Sequence, residues 1–282
     1  MSKKTKKWLI AATSLIVVGC IIFAGVMINL NWDFSKLGTS KYRTQTYDIT
    51  ETFSDISIEN NTADILFVLA NDGKCRVVCY DNEKIEYQTE VSNGKLNIKP
   101  IDNRKWFEHI GINFESSRIT IYLPEKELGN LFVKNSTGDI KLEKLSINSA
   151  DLLVSTGKIF ASDITCAGDF KTKVSTGEVF LLSTKCKNLI SSGNTGDITL
   201  KNVIAQEEFS ISRSTGDIEF EACDSNNIFI KTDTGDVEGS LLSSKVFIAK
   251  TDTGSIEVPK TTTGGKCEII TDTGDIEIDI KQ

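Results

Sequence analysis

Apolar residues recur at equivalent positions along the C-terminal half of the chain. Eight copies of Thr-Gly follow one another there at spacings of 19 or 20 residues. An apolar residue lies three positions after each of these eight Thr residues, and another lies six positions before it. We call each such set of equivalent positions a column. The first column comprises Ile140, Ile159, Val179, Ile198, Ile218, Val237, Ile256 and Ile276, and the second Leu131, Ala150, Phe170, Leu189, Phe209, Ile228, Phe247 and Cys267. A period this regular is typical of stacked repeats.

Within each repeat the apolar residues also alternate with polar ones, which is typical of β-strands with one buried face. A repeat of 19 or 20 residues is too short for a strand-helix-strand crossover. It fits one coil of a β-solenoid, in which each strand lies about 4.8 Å from its counterpart in the next coil. The sequence therefore predicts an all-β, single-stranded β-solenoid (β-helix), with its regular repeats at residues 131–282.

The Thr-Gly dipeptides are predicted to form the corners between strands. Glycine adopts positive φ without a Cβ clash, as a sharp corner requires. This structural role explains the motif without a ligand. The predicted corner glycines are Gly138, Gly157, Gly177, Gly196, Gly216, Gly235, Gly254 and Gly274.

The N-terminus has the features of a membrane signal anchor. A basic tail, residues 1–7, precedes an uncharged apolar run at residues 8–30, longer than the ~20 residues that cross a bilayer. Four lysines precede the run, which predicts a cytoplasmic N-terminus and an extracytoplasmic C-terminal domain in the cell membrane. A cleaved signal peptide would have a shorter apolar region and a clear cleavage site. The sequence favours an uncleaved single-pass anchor.

The net charge of the chain beyond the anchor argues against two classes of binding partner. After the anchor comes a polar linker, residues 31–46, and the chain beyond residue 30 has 28 basic and 39 acidic residues, a net charge of −11. So acidic a domain does not bind nucleic acid or anionic lipid through bulk charge.

Residues 47–130 are β-rich but less regular, and they are predicted to be atypical first coils that cap the solenoid. Asn61-Thr62-Ala63-Asp64-Ile65 is a degenerate copy of the corner motif, and Asn93-Gly94 is a strong hairpin signal. Residues 101–116 form an insertion with Trp106, Phe107 and Phe114. These aromatic residues either contact a partner or fold back over the end of the solenoid, and we favour the latter.

The stretch Ser117-Arg118-Ile119-Thr120-Ile121-Tyr122-Leu123-Pro124, followed by repeated copies of Ser136-Thr137-Gly138-Asp139-Ile140, resembles a known family. It is similar to the bacterial β-strand-repeat domain of unknown function labelled "putative adhesin", over roughly residues 47–282. The resemblance implies a solenoid, often with one N-terminal membrane span. It also implies, for some members, an association with envelope-stress signalling in Gram-positive bacteria. It supplies no catalytic residues.

Residues that could carry chemistry are few. His109 is the only histidine, which excludes a Ser-His-Asp triad and a multi-histidine zinc site. The chain has no nucleotide-binding glycine signature, and no cofactor is predicted. Cys166 and Cys186 share a column in adjacent coils, within disulfide distance. The sequence leaves open whether these two cysteines are buried free thiols or form a disulfide.

Acidic corners offer a weak calcium site. The candidate ligands, all near the last three Thr-Gly copies, are Asp233, Asp236, Asp252, Asp272 and Asp275. Stacked carboxylates repel one another, and either a bound Ca²⁺ or exposure to screening solvent relieves that repulsion. The sequence favours solvated corners.

These observations predict a non-enzymatic envelope module that contacts the membrane through residues 8–30 and binds an unidentified envelope protein or glycan. The alternatives are a polysaccharide-active β-helix enzyme with an acidic groove and a scaffold that assembles end to end. The C-terminal strand, 275–282, is expected to form the outermost edge. Asp275, Glu277 and Asp279 would repel a second copy there, which predicts a monomeric ectodomain.

Overall fold

The computed structural model describes residues 2–37, 40–109, 115–125 and 127–281. The chain divides into two compact units, residues 1–42 with 104–115, and residues 43–103 with 116–282. The first contains helix α1 (Lys3–Asn29) and two short 3₁₀ helices (Phe34–Leu37 and Trp106–His109).

Helix α1 begins after Ser2, whose hydroxyl accepts a hydrogen bond from the Thr5 N–H (3.2 Å). Its most apolar segment has a mean hydropathy of 2.6, and its length and composition allow it to cross a membrane. Both a membrane anchor and a signal sequence have these properties.

The second unit is built from β-strands. Those of the N-terminal part are β1 (Tyr42–Ile49), β2 (Asp55–Asn60), β3 (Asp64–Leu69), β4 (Cys75–Asn82), β5 (Ile85–Ser92), β6 (Lys95–Asp102) and β7 (Arg118–Leu123). The repeats supply β8 (Glu127–Thr137), β9 (Ile140–Glu143), β10 (Ser146–Thr156), β11 (Ile159–Ser162), β12 (Thr165–Cys166), β13 (Asp169–Thr176), β14 (Val179–Leu182), β15 (Lys185–Thr195), β16 (Ile198–Lys201), β17 (Ile204–Thr215) and β18 (Ile218–Cys223). The last are β19 (Asn227–Thr234), β20 (Val237–Leu241), β21 (Lys245–Thr253), β22 (Ile256–Glu257), β23 (Gly265–Thr273) and β24 (Ile276–Ile280).

These strands form two sheets, which together make a β-solenoid of about eight turns. Sheet A has the order β1-β4-β7-β3-β9-β11-β14-β16-β18-β20-β24-β22. Sheet B has the order β21-β23-β19-β17-β15-β12-β10-β8-β2-β6-β5, with β13 between β10 and β15. The columns read from the sequence are in register, since Ile159 pairs with both Ile140 and Val179. The predicted β-solenoid is confirmed.

The core lies between the sheets. Inward residues of sheet A, such as Leu142 and Leu200, and of sheet B, such as Phe170 and Phe209, are at most 1% exposed. Burial of each such side chain stabilises the fold by about 1.5–3 kcal/mol. The repetition of this burial from coil to coil holds the solenoid together.

Five consecutive coils have a second corner of the same kind, which no sequence motif predicts. One non-glycine residue per coil has φ between 48° and 56° there: Lys144, Asp163, Ser183, Asn202 and Ala222. Left-handed backbone costs a non-glycine residue about 1–2 kcal/mol. These five residue types differ, so composition gave no sign of the column.

The coil order is exchanged at the C-terminal end. Strands β23 and β24 lie between the preceding coil (β19, β20) and the coil of β21 and β22. Ile276 pairs with Val237 on one side and with Ile256 on the other. The prediction that residues 275–282 form the outermost edge is therefore wrong; β21 and β22 take that position.

The connector between these coils explains the exchange. Pro259 has no N–H to give to a further ladder and is tolerated beside an edge strand. A Cβ on Gly264 would lie 1.8 Å from the Ser244 carbonyl oxygen, and one on Gly265 would lie 1.6 Å from that of Asn226. Only glycine lets the chain return through this gap.

The N-terminal end exchanges its coils in the same way. Strands β2 and β3 stack on β8 and β9, while β6 and β7 lie outside them. Antiparallel β5 then pairs with β6, and antiparallel β4 pairs with β7. The hairpin at Asn93-Gly94 is confirmed, with φ of 51° and 73°. The corner at Asn61–Ile65 is confirmed too, because the Asn61 carbonyl accepts from the Thr137 N–H (2.7 Å).

Candidate functional site

The Thr-Gly corners form a continuous backbone ladder along the solenoid. Seven of the eight corner glycines donate their N–H to a Thr carbonyl of the neighbouring coil, as Gly157 does to Thr176 (3.0 Å). The eighth, Gly254, lies in the outermost coil. All eight glycines have φ between 114° and 150°. A Cβ on Gly177 would lie 1.9 Å from the Gly157 carbonyl oxygen. Both the dihedral angle and the close stacking require glycine.

The aspartates that follow these glycines form a second ladder. The Asp139 carboxylate accepts the Lys158 N–H (2.8 Å), and the Asp217 carboxylate accepts the Asp236 N–H (2.9 Å). The Asp236 carboxylate accepts a hydrogen bond from the backbone N–H of Asp275 (2.7 Å). The Asp275 carboxylate in turn accepts one from the backbone N–H of Ser255. That last bond holds the pKa of Asp275 below its usual value. Two of the five calcium candidates are thus bonded to the backbone.

The other three candidates lie before Thr-Gly in three neighbouring coils. Asp233 forms an ion pair with Lys231 (3.6 Å), and Asp252 forms one with Lys250 (3.1 Å). Asp272 is in the coil between them. Across the described ranges, no group of three or more His, Cys, Asp or Glu side chains could hold a metal ion. Calcium binding stays a prediction, and this geometry fits solvated corners.

An acidic groove of about 310 Å³ lies on sheet A near the C-terminal end. Four glutamates are in register on adjacent strands, in the order Glu219, Glu238, Glu277 and Glu257, and the first three of them line the groove. Neighbours in such a row are about 4.8 Å apart at the backbone. Burial raises the pKa of Glu238, and the charges of Glu277 and other acids raise it further.

Two lysine side chains lie at one side of this groove, where both form ion pairs with the same glutamate. Lys281 and Lys201 both contact Glu221, at 3.2 Å and 3.7 Å. The hydrogen bond from Lys281 is the main reason why the pKa of Glu221 is lowered. The middle of the groove is therefore acidic, whereas Glu221 at its side is paired with two lysines.

A larger cleft, about 920 Å³, lies near the N-terminal end of the solenoid. It is lined by residues 48–53 and 72–76 and by Pro124. Arg76 binds Asp72 (2.9 Å) and lies over the Tyr122 ring (5.2 Å from its centre). Three segments far apart in the chain build this cleft, so no local motif could have revealed it.

The predicted contact residues of the insertion are only partly described. The side chain of Trp106 is 77% exposed. The side chain of Phe107 and the whole of Phe114 lie outside the described residues. Whether this insertion binds a partner or covers the solenoid stays a prediction.

Two buried cations were not anticipated from the sequence. Arg213 points into the core, where Nη1 donates to the Val174 carbonyl (3.0 Å) while Nε and Nη2 have no partner among the described residues. Burial lowers its pKa to about 10, and Gly193 leaves room for it, since a Cβ there would lie 1.6 Å from Nη1. Lys245 is buried too, but it binds Asp224 (2.6 Å).

The cysteines of the solenoid are buried free thiols. Cys166 and Cys186 belong to β12 and β15, which are adjacent. Burial raises the pKa of Cys186 to about 12. The sulfur of Cys166 lies 3.5 Å from the Asn148 carbonyl oxygen.

Comparisons with known proteins support the fold. The model of the Toastrack DUF4097 family matches residues 53–282. A solved structure described as a "putative adhesin" from Bacteroides fragilis has 17% identity and a TM-score of 0.54, over 86% of this chain and 99% of that one. Its likeness shows the fold alone. No curated protein gives a significant match.

Two other solved structures come from Parabacteroides distasonis. One, a "putative adhesin", has 11% identity and a TM-score of 0.37, over 85% of this chain and 98% of that one. The other, a "putative lipid binding protein", has 13% identity and a TM-score of 0.33, over 87% and 98%. Both scores are too low to carry an argument.

Proposed function

This chain belongs to the Toastrack DUF4097 family, and we propose that it is a non-enzymatic binding module of the cell envelope. In this proposal α1 anchors the chain in the membrane, and the solenoid lies outside the cytoplasm and binds an envelope protein or glycan. The name of the relative from Bacteroides fragilis, a "putative adhesin", agrees with binding rather than catalysis.

One observation carries the proposal. The polar residues that recur from coil to coil, which are the natural candidates for a repeated site, are engaged in the fold itself. The corner aspartates accept backbone N–H groups of the next coil at 2.6–3.0 Å. What remains for function is the outer surface of a rigid solenoid, which is suited to binding.

The anchor is tested by labelling intact cells. Lys187 is on the outer face of sheet B, with a side chain 46% exposed, so Lys187→Cys provides a thiol at the surface. We expect a membrane-impermeant maleimide to label it without lysis, and the mature protein to retain its N-terminal residues. Labelling only after lysis would contradict the orientation, and a mature N-terminus beyond α1 would identify a signal peptide.

Binding is tested by crosslinking in the native envelope. A photoreactive amino acid at Lys187, or at Thr199 beside the acidic groove, should trap a discrete envelope protein or glycan. Unmodified cells and a photoreactive residue at buried Leu200 serve as controls. Absence of any adduct from both surface positions would contradict the proposal. A role under envelope stress, implied by the resemblance, predicts higher abundance after treatment with a cell-wall antibiotic.

A second candidate function, polysaccharide cleavage, is favoured by the acidic groove. The backbones of neighbouring glutamates in the row are about 4.8 Å apart, a spacing that allows the carboxylate separation of about 5–5.5 Å used by retaining glycosidases. The raised pKa of Glu238 suits a general acid. Cleavage of an envelope polysaccharide that is lost in Glu238→Gln would favour this function. Binding without cleavage would favour the module.

A further inference from the structure

The coil formed by β21 and β22 lies at the end of both sheets. Within the described ranges, β21 pairs with β23 alone, and β22 pairs with β24 alone. Two backbone edges therefore lie open, with the end of the core between them. Such edges are templates for further strands.

This end of the core is apolar. Ile256 is 45% exposed, although its neighbour in the same column, Ile276, is 1% exposed. Phe247 and Val258 are only partly buried beside it, and Val246 and Ile248 are exposed on the outer face of β21. An apolar cross-section with open edges on both sides is typical of an interaction surface.

We propose that this end is an interface at which two copies of the chain pair head to head. A single extended peptide would complete one edge and leave the other edge and the core uncovered. The end of a second solenoid presents two edges at the same separation, with an apolar core between them. A second copy is thus the occupant whose shape matches the whole surface.

Symmetry makes this assembly a closed dimer. A two-fold axis perpendicular to the stacking direction reverses the strands, so that β21 meets β21 of the second copy antiparallel, and β22 meets β22. The N-terminal end instead carries antiparallel β4 and β5 outside its last parallel strands. Because the two ends differ, head-to-tail growth is not favoured.

Charge along the edge suits antiparallel pairing. Lys250 and Asp252 are two residues apart on β21 and both are exposed. Centring the pair on Thr251 places Lys250 of each copy opposite Asp252 of the other, a favourable cross-strand arrangement. The acids expected to prevent association, Asp275, Glu277 and Asp279, belong to the coil inside this one. The argument for a monomer depended on their being outermost.

The backbone groups available for pairing can be identified. The Thr253 carbonyl accepts from Gly274 of the inner coil, so the backbone of Thr253 faces inward. Alternation along a parallel strand then turns the N–H and C=O of Ile248 and Lys250 to the open side. Proline at Ile248 removes an outward N–H without removing a bond to β23.

The test measures the mass of the full chain in detergent micelles by sedimentation, from about 1 to 100 µM. We expect a reversible monomer–dimer equilibrium that Ile248→Pro and Ile248→Lys each weaken at least tenfold. The matched control is Phe229→Lys, at an outward position of the same row on β19, which is paired on both sides. It should leave the equilibrium unchanged.

Three outcomes would overturn the proposal: a monomer at every concentration, a dimer that both edge variants leave intact, or open filaments. A circular dichroism spectrum of Ile248→Lys that matches the parent spectrum would show that this variant is still folded. The inference does not rest on the proposed function, because neither variant alters the anchor or the acidic groove. If an edge variant lost the dimer but still crosslinked to an envelope partner, dimer formation and the proposed binding function would be shown to be separate properties.

Discussion

The two ends of the solenoid exchange their coils in the same way but finish differently. At the N-terminal end, antiparallel β4 and β5 cover the outer coil, and Ile119 is 0% exposed. At the C-terminal end no strand of the described chain lies outside β21 and β22, and the residue of the same column, Ile256, is 45% exposed. Stacking alone therefore does not bury the last coil, which needs a strand across its edge.

The turn chemistry of each end accounts for the difference. Asn93-Gly94 supplies two consecutive residues with positive φ, which directs β6 back along β5 as an antiparallel neighbour. The C-terminal connector instead contains Pro259 and the pair Gly264-Gly265, and it returns the chain to a parallel position inside the outer coil. One end is thus closed by a hairpin, and the other remains open.

The largest effect is expected from the corner glycines, and it should differ between the middle and the end. Gly177→Ala combines a left-handed alanine, about 1–2 kcal/mol, with overpacking of a tightly stacked corner, about 1–3 kcal/mol. We expect a loss of about 4 kcal/mol in the free energy of unfolding, measured by denaturant titration of the full chain. Gly254→Ala, in the outer coil that can move outward, should cost about half as much.

The control for these variants is Gly73→Ala. Gly73 also has positive φ (67°), but a Cβ there has no atom within 4 Å. It should cost about 1 kcal/mol, the dihedral contribution alone. Equal losses for Gly73→Ala and Gly177→Ala would show that stacking does not constrain the corner.

The next effect compares the two ends directly. Ile119→Ala leaves a cavity in a fully covered coil and should cost about 3 kcal/mol. Ile256→Ala should cost about 1 kcal/mol in the monomer, because nearly half of that side chain is already in water. The same denaturant titration, performed at low protein concentration, gives both values. Similar costs would mean that the C-terminal coil is covered in solution.

Much of this fold could be predicted because its constraints are repeated. The columns through Ile140 and Leu131 show the strands, their inward faces and their register. The exchange of coils could not be predicted, since it depends on whether the chain after Pro259 moves outward or returns through the gap at Gly264. The candidate binding surfaces were harder to predict from the sequence than the fold was. The cleft at Arg76 joins distant segments, and the glutamates at the groove look in sequence like ordinary outward residues.

A third effect concerns the two buried cations. Lys245→Met leaves Asp224 without its charge partner and should cost about 2–3 kcal/mol, because the remaining carboxylate is poorly solvated. Arg213→Met removes a charge whose Nε and Nη2 have no partner among the described residues, and should leave stability unchanged or raise it by about 1 kcal/mol. Thermal unfolding of both variants measures this contrast. A large loss for Arg213→Met would point to an internal anion that balances its charge.

The smallest effect compares the carboxylates near the two ends. Glu59 forms an ion pair with Lys99 (3.0 Å), whereas Glu238 stacks between Glu219 and Glu277. Because the folded state raises the pKa of Glu238, its protonated form is favoured on folding. That contribution is fully present below the unfolded pKa of 4.5 and is lost as pH rises through the folded value.

Glu238→Gln removes the repulsion at neutral pH and should raise the free energy of unfolding by a few tenths of a kcal/mol, a value reduced by solvent screening. The gain should disappear below about pH 4, where the native carboxyl is itself protonated. Glu59→Gln should act in the opposite direction at pH 7, since it loses its lysine partner. Melting temperatures at pH 4 and pH 7, in low and high salt, measure both. If Glu238→Gln were neutral or destabilising at pH 7 in low salt, the row of glutamates would have to be balanced by a bound cation.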